Sequence, residues 1–134
     1  MIRKLEINTN GQGLYEVTPE VRAIIRSSAV EEGLCTVFCQ HTSASLIIQE
    51  NADPSAKRDL EKWFKRLVAE NDALFTHTQE GPDDMPSHIK SALTASSLSI
   101  PVFEREIMLG TWQGIYVWEH RNSPHHRSVV VHVL

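Results

Sequence analysis

The sequence has no long hydrophobic run, and nothing in its 134 residues approaches the roughly 20 consecutive apolar residues that a helical membrane span needs. Met1 to Asn10 also lacks the apolar core of a signal peptide, so a cytoplasmic location is the expectation. A basic excess is missing too. Thirteen Lys and Arg against seventeen Asp and Glu give a formal net charge of -4, which argues against a nucleic-acid surface spread over the molecule and leaves room only for a local basic pocket. Glycine and proline number six each, too few for a fibrous or low-complexity chain, while 41% hydrophobic and 22% charged residues suit a globular domain. Cysteine is scarce. Cys35 and Cys39 share a face of an apolar strand about 13 Å apart, beyond disulfide reach, and read as buried reduced thiols. One domain over residues 1–134 is expected.

The densest chemistry lies between His77 and Leu93, which holds two imidazoles, three carboxylates, a Gly-Pro turn and a helix start. Pro86 suits the first helical position, with Asp83 and Asp84 before it at the positive end of the helix dipole. His88 then falls in the first turn, where the dipole disfavours imidazolium and favours a metal ligand or neutral donor. Capping of an ordinary helix explains Asp84 equally well when it is taken alone.

Strands are expected over Ile2 to Asn8, Leu14 to Thr18, Leu34 to Gln40, Leu46 to Gln49, Leu98 to Phe103, Glu106 to Leu109, Ile115 to Glu119 and Ser128 to Leu134. Thr18-Pro19 caps and opens one helix, whose stripe of Val21, Ile24, Ile25 and Ala29 ends at Gly33. Asp53-Pro54 opens another, with Leu60, Trp63, Phe64, Leu67 and Val68 on one side. Its opposite side carries Lys57, Arg58, Glu61, Lys62, Lys65 and Arg66, a solvated face. The class is therefore α+β, a single domain of mostly antiparallel or mixed strands with about three helices.

Three of the seven histidines, His41, His77 and His88, fall at strand ends or in the Asp-rich loop. Projected from a rigid scaffold, they are the candidate ligands for one divalent ion, zinc for imidazole donors, although no tight HxH or HExxH pattern frames them. His120 is a fourth candidate, whereas His125 and His126 belong to an exposed turn. No nucleophile elbow frames Ser43 or Ser45, so Thr42 and Ser43 are assigned as hydrogen-bond donors to an anion or to strand ends. Lys90, Arg121 and Arg127 are the cations available to phosphate. Trp112, between two glycines, offers either a flat face to an aromatic ring or core packing.

These residues also carry a resemblance. Q-H-T-S-A-S-L at 40–46, E-N-A-D-P at 50–54, E-G-P-D-D-M-P-S-H-I-K-S at 80–91, G-T-W-Q-G-I at 110–115 and E-H-R at 119–121 resemble the motifs of the YjbQ family along nearly the whole chain. The resemblance implies a homotrimer with a polar, metal-capable site and a weak thiamine-phosphate synthase activity, joining an aminopyrimidine pyrophosphate to a thiazole phosphate. By motif it carries over His41, Thr42, Ser43, Glu50, Asn51, Asp53, His77, Asp83, Asp84, His88, Trp112, Gln113, His120 and Arg121. On that reading Asp83, Asp84, His88, His120 and Arg121 serve catalysis. Thr42, Ser43, Lys90, Trp112 and Gln113 bind substrate, with magnesium arriving on the pyrophosphate. Family members commonly place Gly then Arg where Arg105 and Glu106 stand here. A metal-dependent hydrolase of a small phosphorylated compound and a non-catalytic module for an anionic metabolite are the rival expectations.

Overall fold

A computed structural model describes residues 1–134. In chain order the elements are β1 (Ile2–Asn10), β2 (Gly13–Glu16), α1 (Thr18–Ser28), β3 (Glu32–Cys39), β4 (Ala44–Glu50), α2 (Pro54–Leu67), α3 (Asp84–Leu93), β5 (Ser97–Phe103), β6 (Glu106–Ile107), β7 (Gln113–Glu119) and β8 (Pro124–Val133). They form two antiparallel sheets, one of five strands in the order β1-β8-β3-β5-β6 and one of three in the order β2-β7-β4. The α+β class with three helices is thus observed. No helix is long and apolar enough to cross a membrane.

Alternation decides which side chains meet. Val37, Val129 and Val131 from the larger sheet face Leu46, Ile115 and Val117 from the smaller one, and α1 closes this core with Val21 and Ile25. Cys35 and Cys39 belong to the same core as free thiols, and burial pushes the Cys35 thiol up to about 11. The other face of the three-stranded sheet presents Leu14, Tyr116 and Trp118, on which α2 lays Phe64. Phe64 is the only buried residue of α2; Trp63 and Leu67 of the expected stripe stand exposed.

Local expectations hold where the controlling contacts are local. Asp53 caps α2 by accepting from the Ser55 N–H at 2.9 Å. Thr18 does not cap α1, because its hydroxyl accepts the Ile115 N–H at 2.8 Å and donates to Glu16 at 2.8 Å, holding α1 against β7. That helix ends at Ser28, with Ala29 left-handed at φ 60°, and not at Gly33. Gly33 lies inside β3, where a Cβ would stand 2.4 Å from the Leu134 carbonyl oxygen. Pro86 is the third residue of α3, which puts His88 fifth and past the first turn. The turn expected around His125 and His126 is the start of β8, paired with β1. Arg105 takes φ 63° in the β5–β6 turn and donates to the Arg26 carbonyl at 2.8 Å.

Candidate functional site

The start of α3, the loop before it and the exit of β7 meet around one carboxylate. Asp84 is 1% exposed, and its two oxygens divide their partners. Oδ2 lies 2.8 Å from His77 Nε2 and 3.1 Å from His88 Nε2, while Oδ1 accepts from Arg121 Nη1 at 2.9 Å. Burial works against the charge on Asp84, but His77, His88 and Arg121 outweigh it and hold the carboxyl below the usual carboxylate range. Arg121 also donates through Nε to Asp83 at 2.9 Å and through Nη2 to the Glu80 carbonyl at 2.8 Å, so each of its three guanidinium nitrogens has a partner. Asp83 accepts in addition from the Asn122 N–H at 2.8 Å.

One contact fixes the chemistry of His88. Its Nδ1 sits 2.8 Å from the Thr42 carbonyl oxygen, which can only accept, so Nδ1 carries the proton. In the neutral ring Nε2 is then a bare lone pair aimed at a carboxylate oxygen, an arrangement that calls for a cation between them or a second proton on the ring. His77 Nε2, Asp84 Oδ2 and His88 Nε2 all lie within 4.8 Å of one another, so the donor set and its spacing fit a divalent ion.

His41 stands outside this cluster. Its Nε2 accepts the Ser128 N–H at 2.8 Å, its Nδ1 lies 3.4 Å from Arg127, and burial followed by that guanidinium holds its pKa below the usual histidine value. Thr42 contributes its carbonyl, and it lines with Ser45, Ser91 and His88 an open cavity of about 540 Å³ beside the cluster. The Ser43 hydroxyl accepts from Arg127 at 2.9 Å and is not aimed at that cavity's contents. His120 is buried, with Nε2 2.8 Å from Ser45 Oγ and its ring stacked near Phe64 and Trp118. It borders a separate cavity on the α2 side, together with Lys90.

Trp112 and Gln113 are not brought to the cluster. Gln113 opens β7 with Trp112 just before it while Glu119 ends it, so the length of the strand, roughly 20 Å, separates them from the His120 end. There Trp112 is exposed, its carbonyl accepts the Asn51 N–H at 3.0 Å, and Gln113 Oε1 accepts the Gly110 N–H. Glu50 pairs with Gln113 across the two strands, which places the E-N-A-D-P and G-T-W-Q-G motifs at the end of the sheet away from Asp84.

Beyond its place in the E-H-R motif no role is expected of Glu119, yet it organises the interior behind the site. The carboxylate is wholly buried, meets Arg127 through both oxygens, and accepts from Thr9 and from the backbone N–H of His120 and Arg121. Arg127 is therefore spent on Glu119 and Ser43 and is not free for phosphate. Apart from that motif, the sequence signal is a charge ending a strand whose other inward residues are apolar.

The full-length match decides the affiliation: the model of the family described as UPF0047 protein YjbQ-like covers residues 3–134. The chain belongs to the YjbQ family. A UPF0047 protein of Synechocystis is 52% identical over 96% of this chain and 88% of its own length. The UPF0047 protein YjbQ of Escherichia coli O157:H7 is 40% identical over 96% and 93%. Among solved structures, a YjbQ/UPF0047 protein from Clostridium acetobutylicum superposes with a TM-score of 0.86 at 32% identity, covering 100% of this chain and 99% of its own. A conserved hypothetical protein from Thermus thermophilus gives 0.87 at 30%, covering 98% and 99%. The YjbQ fold, and not only the motif order, is thus shared along the chain.

Proposed function

We propose that this YjbQ-family chain is a metal-dependent enzyme acting on a small phosphorylated metabolite, with thiamine-phosphate formation as the reaction that the family resemblance implies. The observation that supports it most is His88 Nε2, turned by the Nδ1 contact with the Thr42 carbonyl toward Asp84 beside His77. His77, Asp84 and His88 would hold the ion, zinc being suited to two imidazoles and a carboxylate, with magnesium arriving on a pyrophosphate. Such an ion neutralises charge that grows on a leaving phosphate group. Arg121 positions Asp83 and Asp84. Thr42, Ser45 and Ser91 line the space where the organic part of a substrate would lie.

Hydrolysis of a phosphorylated compound is the second reading. It is favoured by the half-exposed His77, which leaves one side of the cluster open to water. We further propose a cytoplasmic homotrimer. The outer face of the five-stranded sheet supports it, since Ile2, Leu34, Phe38 and Phe103 stand exposed there around Val130.

Elemental analysis of wild type, His77→Ala and His88→Ala tests the centre: both variants should lose the ion, and full retention in both would refute it. Incubation of wild type and Asp84→Asn with the aminopyrimidine pyrophosphate, thiazole phosphate and magnesium, following thiamine phosphate and inorganic phosphate separately, tests the reaction. No thiamine phosphate above a catalyst-free blank refutes the transferase; phosphate release alone supports hydrolysis. Light scattering at micromolar concentration should give three times the chain mass, and a monomer refutes the trimer.

A further inference from the structure

The cleft between α2 and α3 collects positive charge that no ion pair neutralises, Glu70 and Asp83 acting on Lys90 only from beyond ion-pair distance. Arg58, Lys62 and Lys65 reach it from α2 and Lys90 from α3, and none of the four forms an ion pair. In a chain of net charge -4 that is an uneven distribution. Glu61 is the one acid lining the cleft, and its Oε2 is taken by the Leu14 N–H at 2.9 Å.

Lys90 is the decisive residue. It is 2% exposed, and its ammonium donates once, to Gln12 Oε1 at 3.1 Å, which leaves two hydrogens without an acceptor on the protein. A buried ammonium held by a single neutral oxygen is costly unless an anion joins it. Burial also pulls the Lys90 ammonium below the usual lysine range, an effect that an arriving anion reverses.

We propose that this cleft binds a phosphate-type dianion, free or carried by a small metabolite, with Lys90 at its floor and Lys65, Lys62 and Arg58 at its rim. Four cations against one engaged acid suit a double charge better than a single carboxylate, and lysines meet phosphate as point charges without a fixed fork. The cavity of about 210 Å³ exceeds what a phosphate fills, and Phe64, Trp118 and His120 line the remainder for an organic group. A pocket with a buried cation at its floor suits a small ligand, whereas a nucleic-acid backbone needs a row of exposed cations alone. The site does not rest on the metal reading. Lys90 and His88 are two residues apart on α3, about 200° around the helix, so the cleft lies on the side away from Asp84.

The test uses the full chain stripped of metal with EDTA, at constant ionic strength set by sodium chloride. Inorganic phosphate and phenyl phosphate are titrated calorimetrically, and thermal melts are recorded with each. Wild type should bind both and melt higher with either. Tighter binding of phenyl phosphate assigns the site to an ester, and equal binding to the free anion. Lys90→Met should weaken binding at least tenfold and abolish the thermal shift, while its own ligand-free melting temperature matches or exceeds wild type because a buried charge is gone. His77→Ala should bind as wild type does. No phosphate-dependent shift in wild type, unchanged binding in Lys90→Met, loss in His77→Ala, or tighter binding of a single-stranded oligonucleotide than of phenyl phosphate would each overturn the proposal. Should Lys90→Met fail to fold, Lys65→Gln at the exposed rim replaces it: binding weakened severalfold supports the site, and unchanged binding overturns it.

Discussion

Between pH 7.5 and pH 5 the protein should lose stability through one silent histidine. His120 is 1% exposed and packs against Phe64 and Trp118, with Lys90, Arg127 and Glu119 as the charges around it. Burial first, and then Lys90, lowers its pKa to about 3, while the unfolded chain returns it to about 6.5. The folded pKa is the depressed one, so the unfolded state takes up protons first as pH falls. The contribution is intact above pH 6.5 and is lost progressively down to about pH 3. At pH 5 the unfolded ring is almost fully protonated and the folded one is not, a difference of about 1.5 pH units or about 2 kcal/mol. Urea unfolding of wild type and His120→Gln at both pH values isolates it. Glutamine keeps a polar partner for Ser45 without titrating, and the other histidines cancel in the double difference. Wild type should lose about 2 kcal/mol more than the variant. Equal losses would refute the claim that His120 stays neutral in the folded protein.

Glu119→Gln should cost about 3–5 kcal/mol in urea unfolding, because it leaves the buried Arg127 guanidinium uncompensated; a loss under about 1 kcal/mol would mean that the pair contributes little. Gly33→Ala should cost about 1–3 kcal/mol, since the new methyl displaces Leu134 and the two hydrogen bonds it makes with Leu34. An unchanged melting curve would show that the last residue yields freely. Arg121→Lys should expose the Asp83–Asp84 loop to proteolysis, because an ammonium does not span Asp83, Asp84 and the Glu80 carbonyl together; protection equal to wild type would contradict that.

What the sequence discloses follows the range of each interaction. Asp84 and His88 are four apart on a helix, so their meeting is legible from spacing, whereas His77 reaches Asp84 from the loop seven residues earlier, which no spacing rule fixes. His41 joins them in the sequence because it too leaves a strand end, but what holds it is Arg127 and Ser128, 86 and 87 residues further on. Arg121 looks free for phosphate for the same reason: the aspartates that occupy it are 38 and 37 residues earlier. Thr18 has every local feature of a cap, and a backbone N–H 97 residues away claims its hydroxyl instead. Lys90 counts among the cations, yet nothing local shows that its head is buried without a counter-charge.

The register of the five-stranded sheet also constrains how the chain is made. Ile2 pairs with His132 and Val37 with Val131, so the last of this sheet's strands to be synthesised lies inside it, between the first strand and the third. A nascent chain holding only β1 and β3 has no partner to link them, and each exposes an unpaired edge until residues 124–133 leave the ribosome. The decisive step in folding this sheet therefore waits for its final strand. The loop closure it requires spans almost the whole chain, which predicts a slow and strongly topology-limited rate.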